Sequence, residues 1–538
     1  MPTSNEPSPS TRGSADPSRP RRPRHARAIL ATAAALGLSA GAAVIGANQA
    51  DATPPNAHLA AAHPAGASAH NAIVQFQEWL YPSTAGSNAC TAAAEYSDGR
   101  VQNGSLKAEY WDIDENGDAT EDLASNPDDA CNGYSAANAA SVKAHSAQQY
   151  MTVSLSDLAS EEHLTGSTAK SAAAIATLVN FTEKIGFTGI DIDFENYWGW
   201  VGPDQANYYR FLTNLATALH ADGLQLQVEG PPDDGTGFNY GTVLADGADQ
   251  VVMMDYDDEY QKPAGSTCLA FSPFTWSKQL IIGALAQIPA GEHDRFVVGL
   301  PSEAYTAPDP CDTDKVVGNL SYADMQGEPG FSTSSATIAA RRDPGSGEIR
   351  WNSGGTTYDY NDSTALDTKL ALVESLGVTH ISVWVLGGAN AWFSAAGAQG
   401  TSSSVDAAAS GNTLTGRAAA VTCSACSGGA RVGYLGTNSA GTHSALTFNG
   451  VRAATAGTYE VLFEYCDGSS TARNAAISVN GGSPVTVSFP PTGGFGTPGT
   501  IEVPLNLASG TNSVTVGNPT SAAPDFSEVI VPSAPAAD

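Results

Sequence analysis

The chain has 538 residues, and its 24 Lys and Arg against 55 Asp and Glu give a net charge of −31. This acidity argues against nucleic acid or an anionic membrane surface as a partner, because phosphate groups are held by Lys and Arg. With 42% hydrophobic residues, the chain is long enough for two or three folded domains. A neutral polymer or a small molecule fits this charge best.

The first 52 residues have the layout of a targeting segment. Six arginines precede an apolar run at 28–46, and Ala50-Asp51-Ala52 follows it. This order predicts a secretory signal peptide at 1–52, with a transmembrane anchor as the alternative. We therefore expect a secreted, extracellular protein that is monomeric and has no membrane partner after cleavage. Residues 53–70 are predicted to be a flexible extension.

Export would permit disulfide bonds between the seven cysteines. The cysteines form two pairs and a trio: Cys90 and Cys131, Cys268 and Cys311, and Cys423, Cys426 and Cys466. We expect one local bridge in each pair, and in the trio one disulfide with one thiol left over. Half of a zinc site is the alternative for Cys423 and Cys426, but no second such motif completes it.

Residues 71–393 alternate short apolar strands with helical patterns such as 169–185, 205–221 and 365–376. The eight predicted strands are Ala72–Trp79, Leu106–Trp111, Gln149–Leu155, Gly189–Glu195, Leu224–Glu229, Gln250–Tyr256, Phe296–Leu300 and His380–Leu386. Strands that alternate with helices indicate a parallel sheet, and eight of them in this length are typical of an α/β protein of the (β/α)8 TIM barrel type.

A second domain is predicted after a linker. Residues 394–411 are almost all Ser, Ala and Gly, which is a linker composition. Residues 412–538 then carry short β-rich runs separated by Gly, Pro and Asn turns. This pattern predicts a small all-β sandwich.

The strand at 189–195 reads GIDIDFE and carries the strongest chemical signal. Because side chains alternate across a strand, Asp191, Asp193 and Glu195 share one face, and the apolar residues share the other. Three carboxyl groups in such a row cannot all ionise cheaply, so at least one should keep its proton near neutral pH, as a general acid must. A solvated edge strand or a calcium site is the alternative interpretation of this row.

This run resembles the DxxDxDxE signature of glycoside hydrolase family 18, the chitinase family, whose fold is a TIM barrel. Three further stretches support the resemblance in the expected order. Met254–Asp257 is similar to the family's MxYD, Gly299–Pro301 to its GLP, and Trp384 stands where the family has a tryptophan on strand eight. The resemblance covers residues 71–393.

The resemblance implies a role for each of these residues. Glu195 would protonate the glycosidic oxygen, and the substrate's own N-acetyl oxygen would attack the anomeric carbon with net retention. Asp193 would hold the acetamido N–H and share a proton with Asp191, and Tyr256 would hydrogen-bond the acetamido carbonyl oxygen. The predicted substrate-binding residues are Asp257, Trp384 and Trp198. For Trp198 and its neighbours Tyr197 and Trp200, a sugar subsite and core packing are both open.

The expected partner is a neutral N-acetylated polysaccharide or glycan, with no cofactor required. Two departures from the family bear on this expectation: Thr188 replaces the first Asp of the signature, and 154–157 reads SLSD where the family has SxGG. The alternatives are an endo-β-N-acetylglucosaminidase that acts on glycoprotein or cell-wall glycans, and a non-catalytic chitinase-like carbohydrate-binding protein.

The C-terminal region resembles carbohydrate-binding modules of family 35. The resemblance rests on turn residues at 426–433 and 456–459, on Gly493–Phe495, on 507–516 and on Pro524-Asp525. It implies a sugar site, for which Tyr434, Phe495 and Asp525 are the candidates. A spacer role is the alternative.

Residues 112–118 read DIDENGD and match the first half of a calcium loop, but Leu123 stands where the closing Glu should fall. Calcium as a structural ion and a polar loop at the barrel mouth are both open, and no other metal is predicted.

Overall fold

A computed structural model describes residues 103–123, 133–155, 157–232, 236–258, 270–309, 320–384 and 402–537, and the backbone alone of 68–69, 75–80 and 318–319. The predicted signal peptide and the cysteines at 90, 131, 268 and 311 lie outside these residues. Within them, no helix has the length and apolar character needed to span a membrane.

A parallel sheet forms the first domain. Its strands are Gln75–Leu80 (β2), Ser105–Ile113 (β3), Gln148–Leu155 (β5), Gly189–Phe194 (β6), Gln225–Gly230 (β7), Gln250–Met254 (β8), Phe296–Pro301 (β9) and His380–Trp384 (β14). Each strand pairs in parallel with the next in chain order, and β2 pairs with both β3 and β14. A short strand, Ala119–Glu121 (β4), returns antiparallel along β3. The eight strands predicted from the sequence are therefore confirmed within the described residues, with boundaries shifted by up to three residues.

Helices separate the parallel strands. They are Ala136–Ala144 (α1), Leu158–Thr165 (α2), Thr168–Ile185 (α3), Asp204–Ala221 (α4), Tyr240–Ala245 (α5), Phe274–Gln287 (α6) and Ser363–Ser375 (α9). The helix α3 shows why these segments are helical. Ser167 caps its first turn by accepting a hydrogen bond from the Lys170 backbone N–H, and Gly186 ends it in the left-handed conformation at φ 67°. The three helices predicted from the sequence are confirmed as α3, α4 and α9.

An antiparallel sheet that the sequence analysis did not predict lies between β9 and α9. Its strands are Ala304–Pro308 (β10), Gly318–Leu320 (β11), Ile349–Ser353 (β12) and Thr356–Tyr360 (β13), in the order β11-β10-β13-β12, with the helices Tyr322–Met325 (α7) and Ser335–Arg341 (α8). Trp351 stacks on Tyr358 with ring centroids 4.9 Å apart, at the centre of a small core of its own.

The C-terminal domain is all-β, as predicted. One sheet contains Ser68–Ala69 (β1), Ser403–Asp406 (β15), Ala419–Thr422 (β17), Ala430–Gly433 (β18), Gly457–Cys466 (β21), Gly499–Leu507 (β24) and Asp525–Val531 (β26). The other contains Thr413–Leu414 (β16), Gly436–Thr437 (β19), His443–Ala453 (β20), Arg473–Val479 (β22), Val485–Phe489 (β23) and Gly510–Gly517 (β25). Inward-facing apolar residues of both sheets form one core.

The predicted linker at 394–411 and the predicted flexible extension at 53–70 lie partly outside the described residues, and the structure has strands at 403–406 and 68–69 instead. Part of the linker is β15, which pairs with β26, and Ser68–Ala69 pairs with β15 in turn. The side chains of Ser403 and Ser404 are buried, because small residues fit where the strand packs into the domain. The β-domain therefore begins before residue 412 and includes two residues of the extension.

The β-domain packs directly on the helices α6 and α9. Phe274, Ala371 and Leu372 of the first domain form one apolar cluster with Leu462 and Ile530. Beside it, the Lys278 ammonium donates a hydrogen bond to Ser427 at 2.7 Å and lies 3.2 Å from Glu464 and 3.5 Å from Glu528. These charged side chains are almost fully buried. The two domains thus share both an apolar and an ionic contact.

The cysteine trio lies within the β-domain. Cys423 and Cys426 form a disulfide, and Cys466 is a buried thiol whose sulfur lies 3.6 Å from that of Cys426. This is the arrangement that the sequence predicts for the trio.

Candidate active site

The strand β6 places two acids inside the parallel sheet. Ile190, Ile192 and Phe194 are fully buried, and Phe194 stacks on Phe211 of α4, so the apolar face meets the helix layer as predicted. Asp191 and Asp193 point to the opposite face. The alternation of side chains along the strand is therefore sufficient to position both acids.

Asp191 is fully buried at the bottom of this row. The Thr152 hydroxyl of β5 donates a hydrogen bond to Asp191 Oδ2 at 2.9 Å. Within the described residues, Asp191 Oδ1 has no hydrogen-bond partner. A buried carboxylate oxygen without a donor is costly unless a proton satisfies it.

Asp193 lies at the centre of a group of carboxyl groups. Burial raises its pKa well above the ordinary value, and the charges of Glu195, Glu229, Asp191 and Glu109 raise the pKa further. Since each neighbour has the same charge as an ionised Asp193, not all of these groups can ionise together. The clustering therefore favours the protonated form of at least one of these carboxyl groups.

Glu195 follows the end of β6. Its backbone N–H donates to the Leu155 carbonyl at 3.0 Å, which fixes the chain where it leaves the sheet. The side chain is half-buried and lies close enough to Asp193, Glu109 and Tyr256 to affect the pKa of each. Glu195 therefore lies at the carboxyl end of β6, where it is partly exposed and is also close to the carboxyl row.

Tyr256 and Asp257 come from the end of β8. Burial raises the pKa of Tyr256 well above its ordinary value, with further contributions from Glu229, Asp257, Asp193 and Glu195. The phenol therefore stays protonated and can donate a hydrogen bond towards the carboxyl row. Asp257 adopts φ 75°, in the left-handed region that non-glycine residues rarely occupy.

The aromatic residues considered for sugar binding differ in their surroundings. Trp384 ends β14 and is half-buried against the core of the first domain. Trp198 is 47% exposed, whereas Trp200 donates from Nε1 to Glu161 at 2.8 Å and packs against Tyr208. Tyr197 is buried and its hydroxyl contacts the Glu229 backbone carbonyl. Core packing therefore describes Tyr197 and Trp200, whereas the ring of Trp198 is exposed to solvent.

The structure adds three charged residues that the sequence analysis missed. Lys107 and Glu109 of β3 and Glu229 of β7 face the same interior as Asp191. The Ser154 hydroxyl donates to Glu109, and Lys107 forms an ion pair with Glu229. Neither strand marks them on its own, because β3 also carries Asp112 and β7 also carries two glutamines, so only the pairing of the strands brings the three charges together.

The two departures from the family pattern also have defined places. Thr188 lies outside the carboxyl row, and its hydroxyl accepts a hydrogen bond from the Gln149 N–H at 3.1 Å. In the SLSD segment that replaces the family's SxGG, the Ser154 hydroxyl donates a hydrogen bond to Glu109.

The segment at 112–118 forms the turn between β3 and β4. Asp114 Oδ1 accepts hydrogen bonds from the backbone N–H groups of Asn116 and Asp118, and Lys170 pairs with Asp118. Within the described residues, the metal-ligating side chains that converge are the cysteine trio and not this turn. The polar-loop interpretation describes the observed contacts.

The three sugar-site candidates of the β-domain meet around one arginine. Arg431 pairs with Asp525 and lies over the Phe495 ring at 5.5 Å, and Tyr434 is near enough to affect the pKa of Arg431. Arg473 lies over the same ring at 5.0 Å. An aromatic ring bordered by charged hydrogen-bonding groups is suited to a sugar.

Comparison with known proteins identifies the first domain. The model of Glycosyl hydrolases family 18 matches residues 108–389, just over half of the chain, and the chain belongs to this family. It is a glycosidase whose family fold is the TIM barrel, in agreement with the strand order described above. A CBM13-like model, described as alpha-galactosidase, CBM13 domain, matches residues 445–531. A carbohydrate-binding module is thus confirmed at the C-terminus, while the predicted family 35 is only approximate.

Solved structures resemble each domain. A chitinase from Chromobacterium violaceum is 23% identical, covers 60% of this chain and 96% of its own, and has a TM-score of 0.46. The spore cortex-lytic enzyme SleL of Bacillus cereus is 19% identical over 60% of this chain and 73% of its own, with a TM-score of 0.46. A family 35 carbohydrate-binding module from Clostridium thermocellum is 30% identical over 24% of this chain and 97% of its own, with a TM-score of 0.23. No curated protein matches the sequence significantly.

Glu109 gives the fold a measurable pH dependence. Burial raises its pKa from 4.5 to about 8, even though the hydrogen bond from Ser154 lowers it. Between these values the folded protein keeps a proton that the unfolded chain releases, so the free energy of unfolding should fall as the pH rises from 5 to 8. In urea unfolding at both pH values, Glu109→Gln should reduce this fall. An unchanged pH dependence would show that Glu109 ionises normally in the fold.

Proposed function

We propose that the protein is an exported enzyme that hydrolyses β-linked N-acetylglucosamine polymers, chitin or chitin-like, with retention of configuration. The observation that carries the proposal is the carboxyl row of Asp191, Asp193 and Glu195 facing Tyr256 inside the parallel sheet. Membership of family 18 supports a glycosidase, and the layout of the first 52 residues supports export.

The proposed reaction begins with proton donation. Glu195, half-buried at the sheet edge, gives its proton to the glycosidic oxygen as the bond to the leaving sugar breaks. The oxygen of the substrate's acetamido group attacks the anomeric carbon, so no enzyme nucleophile is needed. An oxazolinium ion forms, and Glu195 then removes a proton from the water that opens it.

Asp193 and Tyr256 act on the acetamido group in this proposal. An ionised Asp193 accepts the acetamido N–H and stabilises the positive charge that develops beside it. The Tyr256 phenol, kept protonated by burial, donates to the acetamido oxygen and orients it for attack. Asp257 contacts the sugar and Trp384 supplies an aromatic surface for the apolar face of the ring.

The test is reducing-end release from N-acetylated chitin oligomers and from the same oligomers after deacetylation. Hydrolysis of the acetylated substrate alone is expected, because only that substrate carries the attacking group. Equal rates on both substrates would contradict the proposed mechanism. Glycoprotein and cell-wall glycans in the same panel test the endo-β-N-acetylglucosaminidase alternative. Binding of all these glycans without turnover would indicate a lectin.

Trp198 and Trp200 are expected to respond differently to replacement by alanine. Trp198→Ala should lower kcat/KM on long oligomers several-fold and leave the melting temperature unchanged, because the exposed ring offers a surface to sugar. Trp200→Ala should lower the free energy of unfolding by about 1–3 kcal/mol, because it removes packing and the bond to Glu161. Steady-state kinetics and urea unfolding of both variants check this. A loss of stability in Trp198→Ala would assign that ring to the core.

A further inference from the structure

A buried ion pair lies directly beneath the carboxyl row. Lys107 of β3 and Glu229 of β7 are both fully buried, and Lys107 Nζ lies 2.6 Å from Glu229 Oε1. Two charges are rarely placed in a domain interior unless the geometry compensates the loss of hydration. The two residues come from different strands, and Glu229 lies within hydrogen-bonding reach of Asp191, so the pair is part of the interior that holds the acids.

Within the described part of the chain, one carboxyl oxygen of Asp191 and one of Glu229 remain without a donor. The Thr152 hydroxyl donates a hydrogen bond to Asp191 Oδ2, and Lys107 forms its ion pair with Glu229 Oε1. Asp191 Oδ1 and Glu229 Oε2 have no donor among the described residues, although the two side chains are within hydrogen-bonding reach of one another. Two carboxylate oxygens can bond only when one of them carries a proton.

We propose that Lys107 and Glu229 form a positioning pair, and that this pair holds one shared proton between Asp191 and Glu229, beneath the carboxyl row. The inference rests on the proposed function for its kinetic consequence. Thr188 stands in place of the first Asp of the family signature, so the signature supplies one carboxyl group fewer. Glu229, from strand β7, supplies a second carboxyl group beside Asp191. With that proton in place, Asp193 can carry the negative charge that faces the oxazolinium.

The surroundings of Glu229 determine the direction of the effects. Burial raises its pKa, Lys107 lowers it and Asp191 raises it. Among the described residues, Asp193 of β6 and the phenols of Tyr197, Tyr208 and Tyr256 also interact with Glu229. Lys107 is the cation among these groups. Removing it should favour protonation throughout the row, and removing Glu229 should favour ionisation.

The test is the pH profile of kcat/KM on an acetylated chitin oligomer. Lys107→Met should move both limbs of the profile to higher pH by about 1 unit, and Glu229→Gln should move them to lower pH by a similar amount. The double variant should return towards the wild-type profile, because it removes the two charges together. Lys170→Met is the matched control, since it removes a lysine from an exposed ion pair in the same domain and should shift nothing. Unchanged profiles, or shifts in the same direction, would overturn the inference.

A second measurement does not depend on turnover. The infrared carbonyl band of protonated carboxyl groups at pH 7 should lose intensity in Glu229→Gln, because the variant removes one of the two carboxyl groups that hold the shared proton. Glu109→Gln is the positive control, since its carboxyl has a pKa of about 8. A band unchanged by Glu229→Gln would overturn the shared proton. A reduced band in a protein without activity on any glycan would contradict the proposed function and leave the shared proton supported. If Lys107→Met does not fold, Glu229→Gln and the double variant still decide the question.

Discussion

Replacement of Glu195 by glutamine should lower kcat on N-acetylated chitin oligomers by about 10²–10⁴-fold, because the amide cannot protonate the departing sugar. The side chain sits among Asp193, Glu109 and Tyr256 at the edge of the sheet, where a general acid can reach both the carboxyl row and the substrate. Steady-state release of reducing ends measures the loss, and the melting temperature of the variant should match that of the wild type.

A substrate with a better leaving group separates acid catalysis from misfolding. In an aryl N-acetylglucosaminide the aryl group leaves as a phenolate, which needs little protonation. The rate loss of Glu195→Gln should therefore be much smaller on the aryl substrate than on the oligomer. Equal losses on both substrates would show that Glu195 acts in some other way, and an unaffected rate on the oligomer would remove it from the mechanism.

Lys278→Met should destabilise the protein by about 3–5 kcal/mol, because it leaves two buried carboxylates without their cation. Burial alone would lower the pKa of Lys278, but the charges of Glu464 and Glu528 raise it above the ordinary value. The lysine belongs to α6 of the first domain and both acids belong to the β-domain. We therefore expect the variant to weaken the contact between the domains, measured by urea unfolding followed by fluorescence.

The pH dependence distinguishes lost charge from lost packing. Burial already raises the pKa of Glu528 and Lys278 lowers it, so without Lys278 that pKa should rise further in the folded state, and the deficit should be larger at pH 8 than at pH 5. Lys170→Met removes a lysine whose ion pair is 35% and 59% exposed, and it should cost at most about 1 kcal/mol. A deficit in Lys278→Met that does not change with pH would assign the effect to packing alone.

Much of the first domain could be predicted because its strands are buried on both faces and bounded by helices. The run Gly189–Phe194 shows this, since the apolar alternation fixed both the strand and the side on which Asp191 and Asp193 lie. The sheet at 304–360 could not be predicted in this way. Its strands are short and carry polar residues, and Thr356–Tyr360 is defined by pairing with two neighbouring strands.

The errors at the domain boundary have the same cause. Ser403–Asp406 has the composition of a linker, and its pairing with Asp525–Val531 and with Ser68–Ala69, both far away along the chain, makes it a strand. In the site, Lys107 and Glu229 were missed because their significance depends on which strands are neighbours inside the sheet. Each is ordinary when read alone along its own strand.

The most direct test of the proposed mechanism is the configuration of the first product released from an N-acetylated chitin oligomer, followed by proton NMR before mutarotation. Attack by the acetamido oxygen and then by water inverts the anomeric carbon twice, so the newly formed reducing end should be the β anomer. An initial α anomer would mean a single direct attack by water. That result would contradict the roles proposed here for Asp193, Tyr256 and the acetamido group.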